Sequence, residues 1–390
     1  MGNHSIIPPS LASRRRQCNG SAIMELMYPQ TTEADDAKKG TASHELAPPM
    51  IYANAKGGLG FPLASSIVGA TASNGVIWTQ DSYDGAKLYA DDVGKVMRET
   101  GVFTPIVEQT VNCWCIHPES FGTPDCWLFD PVTRTLYIWD YKYGHRVVEV
   151  EWNSQLIEYF SGILDVLEQH HGDRASDLTM TVVFTIVQPR AYHRNGTIRR
   201  WRVPASDLRG EVNKLSAVEH AALSDNPTTC AGPECLDCSA RNNCETLQQA
   251  TTAVVKFTGV PSPINLTADQ LAVELQIVSD AYDILEARLK GLRAQAEGII
   301  QSGNTVRGWA CEQGYGRDAW SVPADQLFIM GDLSGINLRK DAPPVTPKQA
   351  IALGMDEQTV KSLSYRPRTS VKLVQSSTTL ASKIFGKKES

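Results

Sequence analysis

What the chain lacks narrows its identity first. No apolar run approaches the roughly 18 residues that a bilayer-spanning helix needs, so a membrane protein is not expected. The N-terminus is polar, carries Arg14-Arg15-Arg16 and has none of the apolar core of a secretory leader. A reducing, cytoplasmic location is therefore expected. An excess of positive charge is also missing: 37 Lys and Arg against 43 Asp and Glu give a net charge of −6. That balance excludes a nonspecific polycation. It does not exclude an enzyme acting on nucleic acid, because carboxylates at a metal site and on outer faces hide local basic patches in the sum. Gly57-Gly58-Leu59-Gly60 lacks the Gly-Lys-Ser/Thr ending and the preceding strand of a phosphate loop. It reads as a flexible connection within residues 47–78. The rest is ordinary globular material: 390 residues, 42% hydrophobic, long enough for two or three domains.

Against that background, Gly122-Thr123-Pro124-Asp125 and Asp140-Tyr141-Lys142 stand out. Residues 135–139, TLYIW, are strand formers that deliver Asp140 and Lys142. Residues two apart on a strand share a face. Two carboxylates and an ammonium at one sheet edge suit metal-assisted phosphodiester cleavage. The carboxylates hold Mg²⁺ or Mn²⁺, which lowers the pKa of a bound water. The lysine orients that water or neutralises charge on the phosphate. The plain alternative is a hairpin with a surface Asp and a Lys lying along it.

The neighbouring segments are readable too. Asn153 is a fitting N-cap. Leu156, Tyr159, Phe160, Ile163, Leu164 and Leu167 follow at helical spacing, so this helix packs on the sheet. Residues 81–100 read as a helix, 107–116 as a β-rich run around Glu108, and 178–187 as a buried strand.

Nine cysteines in a reducing compartment suggest metal rather than disulfides. Four are clustered as Cys230-x4-Cys235-x2-Cys238-x5-Cys244. Taken alone, Cys230, Cys235, Cys238 and Cys244 fit a four-cysteine Zn²⁺ knuckle. Cys113, Cys115, Cys126 and Cys311 read as small buried hydrophobes.

The ordered set of motifs resembles the RecB-like branch of the PD-(D/E)XK nucleases. It is most similar to a phage-encoded family related to CRISPR-associated RecB-like exonucleases. The resemblance is carried by Ser13–Ser21 around Cys18, Gly40-Thr-Ala-Ser-His44, Glu108-Gln-Thr-Val111, the Asp125 and Asp140-Tyr-Lys142-Tyr-Gly144 motifs, Asn153-Ser-Gln155-Leu-Ile-Glu-Tyr159, Gln188-Pro-Arg190 and the cysteines. They run in the family's order from about residue 10 to 245. The resemblance implies an α/β restriction-endonuclease-like core: a mixed sheet flanked by helices, with a cysteine-cluster metal site and a C-terminal α-rich domain. It implies His44, Asp125 and Asp140 as metal ligands and Lys142 as the catalytic lysine. Gln155 and Tyr159 match the motif that lies against the active site and DNA. Glu108 is either an acid that supports the metal ligands from behind or only the start of a strand.

The resemblance also implies a [4Fe-4S] cluster held by Cys18, Cys235, Cys238 and Cys244, with Cys230 as the rival fourth ligand. The implied activity is metal-dependent DNA cleavage, by an exonuclease or DNA-end processing enzyme of phage replication or recombination. DNA and phage single-strand-binding or replication proteins are then the partners, and the host cytoplasm is the location. Two alternatives are a noncatalytic DNA-binding or assembly protein on a nuclease fold, and a zinc-stabilised interaction module. The intact acid, lysine and histidine set argues against the first of these.

Two further features complete the reading. Residues 188–202 contain Arg190, Arg194, Arg199, Arg200 and Arg202 with Tyr192 and Trp201 and no acid. Asn195-Gly196 signals a type I′ hairpin. Such a hairpin either tracks a DNA backbone, with Arg190, Arg199, Arg200 and Arg202 as contacts, or is an edge protected by charge. Arg14, Arg15 and Arg16 are further candidates for phosphate contact. The second feature is a heptad seam on one long helix: Leu271, Leu275, Val278, Tyr282, Leu285, Leu289, Leu292, Ala296 and Ile299. It buries either against its own domain or in a homo-oligomer through residues 271–299. The expected division is a nuclease domain at 1–250, a linker at 251–266 marked by Pro261 and Pro263, a helical and mixed domain at 267–365, and a flexible tail at 366–390. Within the third, 304–330 read as short strands and Thr346-Pro347 starts a helix.

Overall fold

The computed structural model describes residues 5–29, 35–171, 179–257, 266–315, 319–320, 324–339, 346–352, 354–365 and 368–375. Pro261 and Pro263 of the expected linker, and most of the expected tail, lie outside the described residues. The chain forms two compact units, Met1–Arg288 and Leu289–Ser390.

The first unit begins with helices α1 (Ala12–Gln17), α2 (Ser21–Met27), α3 (Asp35–Ala55), α4 (Ala64–Ile67) and α5 (Gln80–Thr100). Helix α5 starts on a capping box in which Thr79 and Ser82 satisfy each other's backbone N–H groups, and ends on left-handed Gly101. The strands are β1 (Ile106–Val107), β2 (Val111–Asn112), β3 (Phe121–Gly122), β4 (Cys126–Asp130) and β5 (Thr135–Tyr141). Then come α6 (Ser154–His171), β6 (Thr181–Val187), β7 (Ile198–Pro204), α7 (Ala205–Ala222) and α8 (Glu245–Phe257).

The main sheet has five strands in the order β1-β4-β5-β6-β7. β5 and β6 are parallel, joined by α6 as crossover, and the other pairs are antiparallel. Both faces are covered, which is why β5 and β6 read as continuous apolar runs. Leu136 and Ile138 of β5 pack with α6 and α7. Tyr137, Trp139 and Tyr141, which alternate with them, pack on the opposite face with α3 and α5.

Several expectations are corrected. Residues 47–55, at the start of a segment that is hard to read from sequence, continue α3 through Pro48-Pro49 to Ala55. Residues 107–116 form no continuous strand, because Glu108 turns the backbone at φ 51° between β1 and β2. The β6–β7 connection is not a type I′ turn. That turn needs positive φ at both central residues, and only Gly196 has it.

Helix α9 (Ala268–Gln301) starts on a Thr267/Gln270 capping box. Ala287 is fully buried against Cys235 and Leu247. The heptad stripe points elsewhere: Leu275, Val278 and Tyr282 are 60%, 59% and 63% exposed. The second unit holds β8 (Trp309–Tyr315), β9 (Ala319–Trp320), α10 (Ala324–Leu333), α11 (Pro347–Ala352), α12 (Glu357–Leu363), β10 (Ser364–Tyr365) and β11 (Arg368–Gln375). The end of 304–330 is thus helical. A small core of Leu338, Ala350, Met355 and Val360 sits among α10, α11 and α12. No described helix is long and apolar enough to cross a membrane.

Candidate active site and cysteine site

The sequence-predicted acids meet at one end of the sheet. Asp140 and Lys142 leave the end of β5 on the α6 side. Lys142 Nζ lies 3.0 Å from Asp140 Oδ1 and donates to Gln155 Oε1 at 3.0 Å. Gln155 Nε2 in turn donates to Asp140 Oδ1 at 2.9 Å. The three side chains form a closed triangle. Asn153 caps α6 by accepting from Leu156 N at 3.1 Å, which fixes the turn carrying Gln155. Tyr159, one turn on, lies 3.4 Å from Gln155 Nε2 through its hydroxyl. Its ring occupies the place where any side chain at Gly122 would stand: a Cβ there would meet Tyr159 Cε1 at 2.9 Å. That close approach explains the glycine of the Gly122-Thr-Pro-Asp125 motif.

Asp125 stands just before β4. Its Oδ2 accepts from Tyr141 N at 2.6 Å, and its Oδ1 lies 3.5 Å from His44 Nδ1. His44 comes from α3, with its ring 5.1 Å from that of Tyr141. Pro48, four residues later, supplies no N–H to the His44 carbonyl, so the helix ladder is interrupted at this point. The spacing-based reading left Glu108 undecided. The structure brings it to the site: potential ligand atoms of His44, Glu108 and Asp125 all lie within 4.8 Å of one another. Only its flanking motif, Glu108-Gln-Thr-Val111, pointed that way.

The electrostatics follow from crowding. Burial raises the Asp125 carboxyl; His44 opposes this and Asp140 adds to it. Protein packed around the Glu108 carboxyl, then the Asp125 charge, push it up to about 7 although part of the residue reaches solvent. Burial works against the Lys142 ammonium, but Asp140 and Asp125 outweigh it and hold its pKa above the usual value. Asp140 is 2% exposed, and its Oδ2 has no hydrogen-bond partner. Carboxylate oxygens and an imidazole are donors that Mg²⁺ or Mn²⁺ accepts. A cation among His44, Glu108 and Asp125 would relieve the mutual repulsion of these acids; Asp140 is not within that 4.8 Å group. The residues therefore fit such an ion.

The cysteine site gathers residues from both ends of the first unit. Cys18, Cys230, Cys235, Cys238 and Cys244 line one small cavity, and none forms a disulfide. Cys18 Sγ accepts from Cys230 N at 3.3 Å, and Cys235 Sγ from Gly232 N at 3.4 Å. Gln17 Oε1 accepts from Glu234 N at 2.9 Å and holds the loop to α1. Burial raises the thiols of Cys18 and Cys235, and that of Cys238 up to about 12. A metal replaces those protons. Cys18 and Cys230 both reach the cavity, so either is placed to be the fourth donor to Cys235, Cys238 and Cys244. Of the remaining cysteines, Cys113 and Cys126 are buried as expected, but Cys115 is exposed and Cys311 half-buried.

The basic residues divide. Arg199 is 3% exposed and donates to Val148 O, Gln188 Oε1 and Gly196 O. It is not positioned to contact a ligand outside. Arg200 pairs with Asp92 of α5. Arg190 lies over the Tyr143 ring at 4.6 Å and reaches Asp81 at 3.5 Å. Arg202 is exposed. Arg14, Arg15 and Arg16 do not form a free cationic row, because they pair with Glu25, Glu219 and Glu211. Arg15 and its neighbours Glu158 and Glu219 are almost fully buried.

Fold and site define a mixed α/β protein with an acid, histidine and lysine centre at a sheet end and a separate five-cysteine site. The chain belongs to the family described as Protein of unknown function (DUF2800), whose model matches residues 4–328. No curated protein matches it. A solved structure with some similarity is the crystal structure of a "Putative exonuclease" from Eubacterium rectale. It is 11% identical, with a TM-score of 0.33, covering 66% of this chain and 90% of the other. So loose a likeness leaves fold and function to this chain's own residues.

Proposed function

We propose that this protein is a metal-dependent DNA nuclease with a PD-(D/E)XK-type core, working as an exonuclease or DNA-end processing enzyme. One observation carries the reading: the Asp140–Lys142–Gln155 triangle lies beside His44, Glu108 and Asp125. A binding module has no need of a half-buried lysine held against a buried carboxylate in this way.

His44, Asp125 and Asp140, joined by Glu108, would hold Mg²⁺ or Mn²⁺. When bound, the ion supplies positive charge at the scissile phosphate and acidifies a water. The chain's own residues do the rest. Asp140 and Asp125 keep Lys142 protonated, so its ammonium can orient water or balance charge on a phosphate oxygen. Gln155 fixes both the lysine and Asp140 Oδ1, leaving Oδ2 free to bind. Tyr159 closes the floor of the site. The cysteine site is read as holding a [4Fe-4S] cluster through Cys18, Cys235, Cys238 and Cys244, with Zn²⁺ at Cys230, Cys235, Cys238 and Cys244 as the alternative. Either would staple the N-terminal helix to the end of the unit.

End-labelled single- and double-stranded DNA, incubated with the purified protein and Mg²⁺, Mn²⁺ or EDTA, tests the activity. Cleavage with Mn²⁺ that EDTA abolishes is expected. No cleavage of either substrate with either metal overturns the reading.

A further inference from the structure

A second polar groove opens on the far side of the loop that follows Lys142. Its volume is about 590 Å³, and Glu149, Trp152, His193, Arg194 and Arg200 line it. Trp152 is its unusual member. The residue holds φ 55°, in the left-handed region that bulky side chains rarely enter. Such a conformation persists only where the surroundings enforce it, and it collects at functional sites. Here the enforcement is visible. Asn153 Nδ2 donates to Glu149 O at 2.9 Å, closing the loop beneath Trp152. The Trp152 ring then packs at a tilt of 54° against Trp201 at 4.7 Å, and Trp201 stacks on Phe184 at 5.6 Å. The outermost ring of this stack remains 52% exposed.

The groove is placed to serve the candidate active site. Asp140 pairs with Ile186 across the parallel β5–β6 ladder, and Ile186 pairs with Arg199 across β6–β7. Asp140 and the start of β7 therefore share one end of the sheet, two strand spacings or about 10 Å apart. The charges are mixed: exposed Glu151 also lines the groove, and Arg200 is paired with Asp92. Arg194 is exposed and forms no ion pair among the described residues, while the Glu149 carboxylate lies 3.5 Å from His193 Nε2.

We propose that this groove binds the single-stranded part of a DNA substrate, with one base stacked on Trp152 and the adjoining phosphate on Arg194. The proposal rests on the nuclease reading and deepens it. A flat exposed ring beside a free cation suits an unpaired nucleotide, whose base has a bare π-face. Paired bases offer no such face along a duplex.

The test is binding of end-labelled oligothymidylate, read by anisotropy in EDTA, with a blunt duplex as comparison. Trp152→Gly suits the left-handed backbone, and Trp152→Tyr restores a ring. Trp152→Gly is expected to weaken single-strand binding roughly 5- to 100-fold. Trp152→Tyr should recover most of it, with duplex binding unchanged. KM for single-stranded substrate should rise while kcat holds. Should Trp152→Gly unfold, Arg194→Ala at an exposed position decides instead, by a salt dependence shallower by about one ion. Wild-type affinity and salt slope in these variants, beside Mn²⁺-dependent cleavage, would overturn the groove and leave the nuclease standing. A wild-type protein that neither binds nor cuts DNA overturns both.

Discussion

Gln155 accepts a hydrogen bond from Lys142 at 3.0 Å, so the direction of the ammonium is set by a helix that starts twelve residues after the lysine. Asp140→Ala or Lys142→Ala should each reduce Mn²⁺-dependent cleavage at least about a hundredfold. Gln155→Ala should cost less, about tenfold, by freeing the lysine. End-labelled substrate under single turnover measures all three. Wild-type rates in the first two would show that the site is misassigned.

The buried Arg15, Glu158 and Glu219 group makes a pH prediction. Burial and then the neighbouring Glu219 raise the Glu158 carboxyl far above its ordinary 4.5. A raised carboxyl binds its proton more tightly in the folded state. Its stabilising contribution is complete below 4.5, and it fades as pH climbs through the higher folded value. Glu158→Gln needs no proton and keeps the Arg15–Glu219 pair. Its melting temperature relative to wild type should therefore be higher at about pH 8 than at about pH 5. Melts followed by circular dichroism decide it; an equal difference at both values would refute it.

The cysteine site separates its two candidate ligand sets by colour. Anaerobically purified protein should be brown, with broad absorption near about 400 nm. Cys18→Ala should bleach it and lower its stability, whereas Cys230→Ala should do neither. Colourless protein with stoichiometric zinc, indifferent to Cys18→Ala, assigns the knuckle.

Arg199 and Arg202 belong to one strand but should fail differently. Arg199→Ala leaves the buried Gln188 Oε1 with only the Val148 N–H and frees the half-buried Val148 carbonyl, and should cost about 1–3 kcal/mol. Arg202→Ala should leave the melt alone and flatten the salt dependence of DNA binding by about one ion. Urea unfolding and a salt titration of both variants check this.

The exposed stripe of α9 leads us to expect self-association through that helix. Val278→Asp with Leu285→Asp should return a dimer or larger assembly to monomer without disturbing the sheet. Light scattering that finds wild type monomeric at micromolar concentration removes the interface.

These outcomes also mark what residue patterns convey. Asp140 and Lys142 were legible because strand period alone puts them on one face, and Gln155 and Tyr159 only because they match the motif that follows the lysine in the family this chain resembles. Glu108 was not: its place in the site depends on a backbone turn at φ 51°, which breaks the β-rich run it seemed to open. The basic row was misread for a related reason. Alternation along β7 sends Arg199 inward and Arg200 outward, and only the packing of both sheet faces decides which side is inside. The acid partners of Arg14, Arg15 and Arg16 could not be read locally, since two of them lie about two hundred residues away.

That separation has a consequence for biosynthesis. Arg15 meets Glu219, Arg16 meets Glu211, and Cys18 meets Cys230, at distances of 204, 195 and 212 residues along the chain. At about 5–20 residues per second, a ribosome needs roughly 10–40 s to produce those partners after the first helix emerges. Until then Arg15, Arg16 and Cys18 lack those partners, while the acid centre, complete in sequence at Tyr159, is made first. The residues of the acid centre are thus all made before the acids that clasp α1.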